Sequence, residues 1–231
     1  MGPQDHLTPC ATKPQKREND LDKPAFSPNV NFGHNYIFIH VPKSAGTSLA
    51  EALGMPYSNH HIGLTYKKKL GPRYDQMFKF CIVRNPWDRF LSLYDYARLP
   101  ESYHHSALDP KTARHGKHPD FERIKNLSLK DCARLLNQGV FEQRPSLHWH
   151  QQTDWFTDSG GKIIVDYIGR YEELGKTIDH IAKTLNIEIN LSHLNRSRSS
   201  PVDYRQRIDQ ETAELIRTYY AKDLKLLGYT F

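Results

Sequence analysis

An apolar run from Ile39 leads into Pro42-Lys43-Ser44-Ala45-Gly46-Thr47-Ser48, which sets a lysine, a glycine and three hydroxyl side chains just ahead of helix-forming sequence. Residues of these types at this spacing suit phosphate. A helix start leaves backbone N–H groups unpaired and carries the positive end of the macrodipole. Ser44, Thr47 and Ser48 add hydroxyl donors, Lys43 adds a mobile point charge, and Gly46 lets backbone approach a ligand without a Cβ. An ordinary strand-to-helix turn requires no such concentration. A second segment, Phe80 to Tyr94, again passes from a buried-strand run into an amphipathic helix, with Arg84 at the turn and Ser92 about two turns on. Together the two segments suggest one nucleotide held at two phosphates.

Two common nucleotide sites are excluded by spacing. A Walker A loop carries its lysine after the second glycine, whereas Lys43 precedes Gly46 and no earlier glycine stands in place. A dinucleotide fingerprint needs three glycines in its first turn, and only Gly46 is present.

The two segments resemble the sulfotransferase superfamily, whose donor is 3′-phosphoadenosine 5′-phosphosulfate (PAPS). Its P-K-[ST]-[AG]-[GS]-[TS]-[ST] loop is complete at Pro42 to Ser48, and its R-[DN]-P-x-x-R-x-x-S-x-Y segment at Arg84 to Tyr94. The resemblance implies that Lys43, Ser44, Ala45, Gly46, Thr47 and Ser48 bind the 5′-phosphosulfate end. Arg84 and Ser92 would bind the 3′-phosphate, with Arg198 of the run Asn195 to Ser200 closing over it. The style of both motifs, with Val165 to Leu174 and the closing Gly228-Tyr229-Thr230-Phe231, is similar to the carbohydrate branch that includes chondroitin and uronyl 2-O enzymes. That likeness implies transfer of a sulfuryl group to an acceptor hydroxyl on a carbohydrate or glycan, releasing PAP. A degenerate P-loop nucleotide kinase and a non-catalytic polyanion binder are the alternatives.

Sulfuryl transfer asks for a base, in-line geometry and positive charge at the leaving oxygen. Lys43 supplies the charge. For the base, histidine titrates in the right range, and His60 and His61 occupy a place resembling that of the catalytic histidine in uronyl 2-O enzymes. His61 is preferred and His60 is its rival; neighbours in an extended segment point opposite ways, so at most one faces the site. His148 and His150 form the next cluster, and His40 reads as buried structure. Arg170 and Glu172 read as a structural ion pair. Lys67, Lys68, Lys69 and Arg73 read as a solvated helix face that could also grip an acidic acceptor. No histidine spacing reaches a zinc signature, and no metal is expected.

The elements that must position these groups are those of one α/β domain. Residues 1–33 are polar and aperiodic, the reading of a disordered tail, and the domain spans 34–231. Tyr36–Val41, Lys79–Val83 and Ile163–Ile168 read as strands. Helices are expected over 48–53, along a stripe of Phe90, Leu93, Tyr94 and Ala97, over 128–138, through Leu174 to Leu185, and as one helix over 209–227. The alternation implies a mostly parallel central sheet flanked by helices, with a P-loop-like strand-loop-helix phosphate site at the carboxyl ends of the strands.

The net charge of +6 favours anionic ligands without choosing among them. Nucleic acid is not expected as a partner. Neither a signal peptide nor a membrane anchor is legible. Cys10, Cys81 and Cys132 are scattered and odd in number, which suits a reducing, cytoplasmic setting.

Overall fold

The computed structural model describes residues 27–55, 58–100, 117–142, 147–190 and 203–231. A four-stranded sheet organises them in the order β1-β2-β3-β4: Val30–Asn31, Tyr36–Ile39, Phe78–Val83 and Tyr167–Arg170. The last three strands run parallel and β1 is antiparallel to β2. This is the single mostly parallel α/β domain expected from the sequence. Both faces are covered, so the strands read as continuous apolar runs rather than as alternation.

Period-two geometry nevertheless sorts their side chains. Tyr36, Phe38, Phe80 and Ile82 pack with Leu49 of α1 (Gly46–Ala52) and with Ile178 and Ile181 of α8 (Leu174–Leu185). Ile37, Ile39, Cys81 and Val83 face the other way. They meet Tyr66 of α2 (Gly63–Leu70), Tyr74 of α3 (Pro72–Gln76) and Trp155 of α7 (Thr153–Phe156). A third cluster joins α4 (Pro86–Ala97), α6 (Leu129–Asn137) and α9 (Gln210–Tyr219), with a short α5 (Phe121–Ile124) beside them. Its centre is Trp87, whose indole N–H donates to the Ala213 carbonyl at 2.9 Å. Each fully buried aromatic in these clusters contributes on the order of 1.5–3 kcal/mol through surface removed from water.

Local chemistry fixes the helix starts. Asn85 accepts from the Trp87 amide with Pro86 at the first helical position, Ser128 accepts from Asp131, and Asp209 accepts from Thr212. The buried stripe of α4 includes Phe90, Leu93, Tyr94 and Ala97, as the spacing predicts.

Three features differ from the sequence reading. Val30 and Asn31 lie within the stretch assigned to the tail, yet they pair with β2. Asn29 beside them is fully buried, because its backbone and side chain both bond Phe38. The third parallel strand begins at Tyr167 rather than Ile163: Ile163 only bridges Thr157, and Asp166 is taken up in bonding both backbone groups of Lys79. The helix expected over 209–227 is two, broken at Tyr220 ahead of α10 (Ala221–Leu227). Tyr220 is buried and donates to the Trp149 carbonyl, while Asp223 one turn later takes the amides of Gln152 and Thr153. The chain turns at 220 to satisfy both.

At the centre of β4, a Cβ on Gly169 would lie 2.2 Å from Cγ2 of Thr177, whose hydroxyl is itself held by the backbone of Arg170. Gly169→Ala is therefore expected to destabilise the fold by about 1–3 kcal/mol, the usual range for overpacking. Urea unfolding checks this, and an unchanged midpoint contradicts it.

Candidate functional site

The register of β2, β3 and β4 brings their carboxyl ends to one edge, so the segments after Ile39, Val83 and Arg170 converge there. The loop after β2 has an unusual backbone. Lys43 and Ala45 have φ of +66° and +63°, and Ser44 between them does not. Alternation of this kind turns successive N–H groups toward one concavity, the arrangement that binds anions. Left-handed geometry costs a non-glycine residue about 1–2 kcal/mol, so the surroundings must impose it.

Arg89 imposes it. This fully buried side chain donates through Nε to the Pro42 carbonyl at 3.0 Å, and through its terminal nitrogens to the carbonyls of His150 and His148 at 3.0 and 2.7 Å. Arg84 ties the same loop from the side. Its guanidinium pairs with Asp88 at 2.6 and 2.7 Å, donates to the Lys43 carbonyl at 3.2 Å and lies over Tyr171. The backbone of Arg84 is held at both ends by Gln152, whose own amide bonds Asp223. The two segments singled out in the sequence are thus physically joined. The roles of Arg89, Gln152 and Asp223 were not legible, although Arg89 stands inside the second motif.

Within the loop, the Ser44 hydroxyl is buried and without a hydrogen-bond partner. A buried polar atom in that condition is costly unless a ligand completes it. Thr47 is exposed and Ser48 half-buried. The Lys43 ammonium lies 4.1 Å from the Tyr96 ring centre. Ser92 is half-buried on α4. Arg198 lies outside the described residues.

Gly46 also makes room for a neighbouring side chain. A Cβ there would fall 2.0–2.1 Å from the imidazole of His40, so the space beside this glycine is filled by a buried side chain. His40 stacks on Phe38 and bonds Ser58 through Nδ1 at 2.6 Å. Burial holds its pKa well below the ordinary value, with His60, His148 and Lys43 adding repulsion. It is a neutral histidine next to a cationic loop.

The adjacent pair His60-His61 diverges. His60 packs 4.1 Å from His40 and 5.2 Å from His148, and its Nδ1 is 3.2 Å from the His40 carbonyl. A carbonyl only accepts, so Nδ1 carries a proton. His61 instead turns to Tyr66 of α2, where burial and then Lys69 lower its pKa. Asn29 sets this segment in place: it accepts from the Asn59 amide at 2.7 Å and donates to the Asn59 carbonyl at 3.2 Å. His148 is buried in the His60 cluster, whereas half-buried His150 has its Nδ1 3.9 Å from Asp154.

Arg170 and Glu172 form no ion pair among the described residues. Glu172 accepts from the Asn85 amide and the Tyr229 hydroxyl, and Arg170 donates to the Leu227 carbonyl, because the carboxyl-terminal segment passes between them. Among the described residues no group of three or more His, Cys, Asp or Glu side chains is arranged to hold a metal ion, and no helix is long and apolar enough to cross a membrane. A family model described as "Sulfotransferase family" matches residues 29–230, a span that contains both motifs and every strand and helix described above. No curated protein matches the chain.

Because the His40 imidazole is held neutral, its contribution to stability is complete above the unfolded value of about 6.5 and is lost as pH falls below it toward the depressed folded value. The melting temperature is expected to fall between pH 7.5 and 5.5, with a shallower slope in His40→Gln. Parallel curves for the two proteins contradict the assignment.

Proposed function

The chain belongs to the sulfotransferase family, and from that premise we propose that it uses PAPS to sulfate a hydroxyl, on a carbohydrate or glycan acceptor, and releases PAP. The observation that carries this reading is the alternating loop of Lys43 to Ala45 with the unpartnered Ser44 hydroxyl inside it, fastened by Arg84 to the start of α4.

The residues fit such a donor. The loop amides with Ser44, Thr47 and Ser48 take the 5′ end. Arg84 and Ser92 take the 3′-phosphate, with Arg198 closing over it. Arg84 is already paired with Asp88, so contact there means a guanidinium shared between carboxylate and phosphate. When bound, PAPS supplies a sulfuryl group on a phosphate leaving group.

Lys43 gives up a cation–π contact worth about 0.5–2 kcal/mol to neutralise charge at the leaving oxygen. His60 takes the proton of the acceptor hydroxyl. We assign the base to His60 rather than His61 because only His60 joins the histidine cluster beside the loop. His61 with exposed Lys67, Lys68 and Lys69 then forms a flank suited to an acidic glycan. A sulfuryl group carries less charge than a phosphoryl group, so the chemistry asks for no bound metal.

The test is a titration with PAP beside magnesium-ATP and a short DNA duplex at matched ionic strength. Saturable, magnesium-independent preference for PAP is expected, and weaker binding in Lys43→Ala and Arg84→Ala. Binding of ATP or DNA without PAP overturns the reading. A second prediction separates the histidines. His60→Ala should keep PAP affinity and lose on the order of 10²–10⁴-fold in turnover, the usual worth of a general base, while His61→Ala stays within a few fold. The reverse pattern returns the base to His61.

A further inference from the structure

The end of β4 braces the second motif residue by residue. Glu172 accepts from the Asn85 amide at 2.6 Å, and Tyr171 before it lays its ring against Arg84, with the guanidinium carbon 4.3 Å from the ring centre. The bracing segment is itself tied down on both sides. The Thr177 hydroxyl of α8 is held between the amide and the carbonyl of Arg170 at 3.0 and 3.1 Å, and the Tyr229 hydroxyl donates to Glu172 at 2.9 Å. Tyr171 is half-buried and packs against the cluster of Leu49, Ile178 and Ile181. Its ring is a fixed wall rather than a loose surface side chain.

Against that wall the Arg84 guanidinium is buried, yet its bonding is incomplete. Nε donates to Oδ2 of Asp88 at 2.7 Å, and Nη1 donates to the Lys43 carbonyl at 3.2 Å. Nη2 is buried and makes no hydrogen bond, although the same Asp88 oxygen lies 2.6 Å away. A buried donor in that condition marks a place that an acceptor on a ligand can complete. Arginine carries its donors in one rigid plane, so whatever fixes the tilt of that plane fixes where its N–H groups point. The bonds to Asp88 and Lys43 hold the edge of the guanidinium. The face of Tyr171 opposes its tilting out of that plane.

We infer that Tyr171 is a positioning residue for the 3′-phosphate. Its ring face holds Arg84 at the tilt at which Nη2 meets a phosphate oxygen, and so sets how strongly the site prefers a nucleotide with a 3′-phosphate over one with a 3′-hydroxyl. This rests on the donor reading above. The contact is electrostatic, a cation against the negative face of an aromatic ring, and ring shape alone does not supply it. Tyr171 acts through Arg84 and touches no part of the nucleotide.

The experiment titrates the full chain with PAP and with adenosine 5′-phosphate, which lacks the 3′-phosphate, and reads the ratio of the two affinities. Position 171 carries in turn phenylalanine and its mono-, di- and trifluoro derivatives, which keep the shape of the ring while draining its negative face. Tyr171→Phe should keep the preference for PAP. Along the fluorinated series that preference should fall stepwise, by about three- to thirtyfold at its end, the range spanned by loss of a cation–π contact. The affinity for adenosine 5′-phosphate should stay constant. In an Arg84→Ala background the same series should leave the ratio flat, because the effect needs the guanidinium.

A flat ratio with Arg84 in place overturns the inference. So does an equal loss for both nucleotides, the result expected of a ring that stacks on the shared adenosine or supports the fold alone, and so does an effect that survives Arg84→Ala. If the unmodified protein binds PAP no more tightly than adenosine 5′-phosphate, the donor reading itself fails, and Tyr171 has no 3′-phosphate to orient Arg84 toward.

Discussion

The arrangement of the site depends on one buried guanidinium. Arg89 is fully enclosed, yet its hydrogen bonds run to three backbone carbonyls, those of Pro42, His148 and His150, rather than to a carboxylate. Burying a charge costs several kcal/mol, and hydrogen bonds to a charged donor return roughly 1.5–3 kcal/mol each. Three of them, with fixed planar geometry, make the placement tolerable and specify it. The result is that the loop after β2 and the segment before α7 are held at one distance from α4. The left-handed residues Lys43 and Ala45 persist in a loop whose Pro42 and Lys43 carbonyls are held by Arg89 and Arg84.

Around that pin the protein concentrates positive charge and sets beside it a buried imidazole, His40, that is held neutral. Lys43, Arg84 and Arg89 stand near His40, His60 and His148, and desolvation and repulsion keep His40 uncharged. Backbone groups orient the neighbouring rings: the His40 carbonyl faces Nδ1 of His60, and the Asp120 amide faces Nδ1 of His118. Backbone is a good choice for this purpose because its donors and acceptors do not titrate.

The carboxyl-terminal elements complete the support. Asp223 of α10 holds the start of α7, Gln152 there holds Arg84 like a missing strand neighbour, and Glu172 with Tyr229 holds the Asn85 amide. Asn29 performs the corresponding task at the other end of the chain for the segment carrying His60. The first and last described portions of the chain thus meet the site through side-chain bonds to backbone. Such bonds fix position without adding charge.

Much of this was written locally. The apolar runs of β2 and β3, the stripe of α4, the capping residues Asn85, Ser128 and Asp209 and the two motifs follow from periodicity and residue type, which depend on near neighbours only. The sequence by itself determined a mostly parallel α/β sheet, membership of the sulfotransferase family and a site where two motifs meet. The tertiary structure decided which of two adjacent histidines turns inward, that Gly46 makes room for His40, that Glu172 bonds Asn85 in preference to Arg170, and that the last helix breaks at Tyr220. In each case the partner lies from six to nearly ninety residues away along the chain. Side-chain direction outside regular elements is set by such distant partners, and no local pattern encodes them.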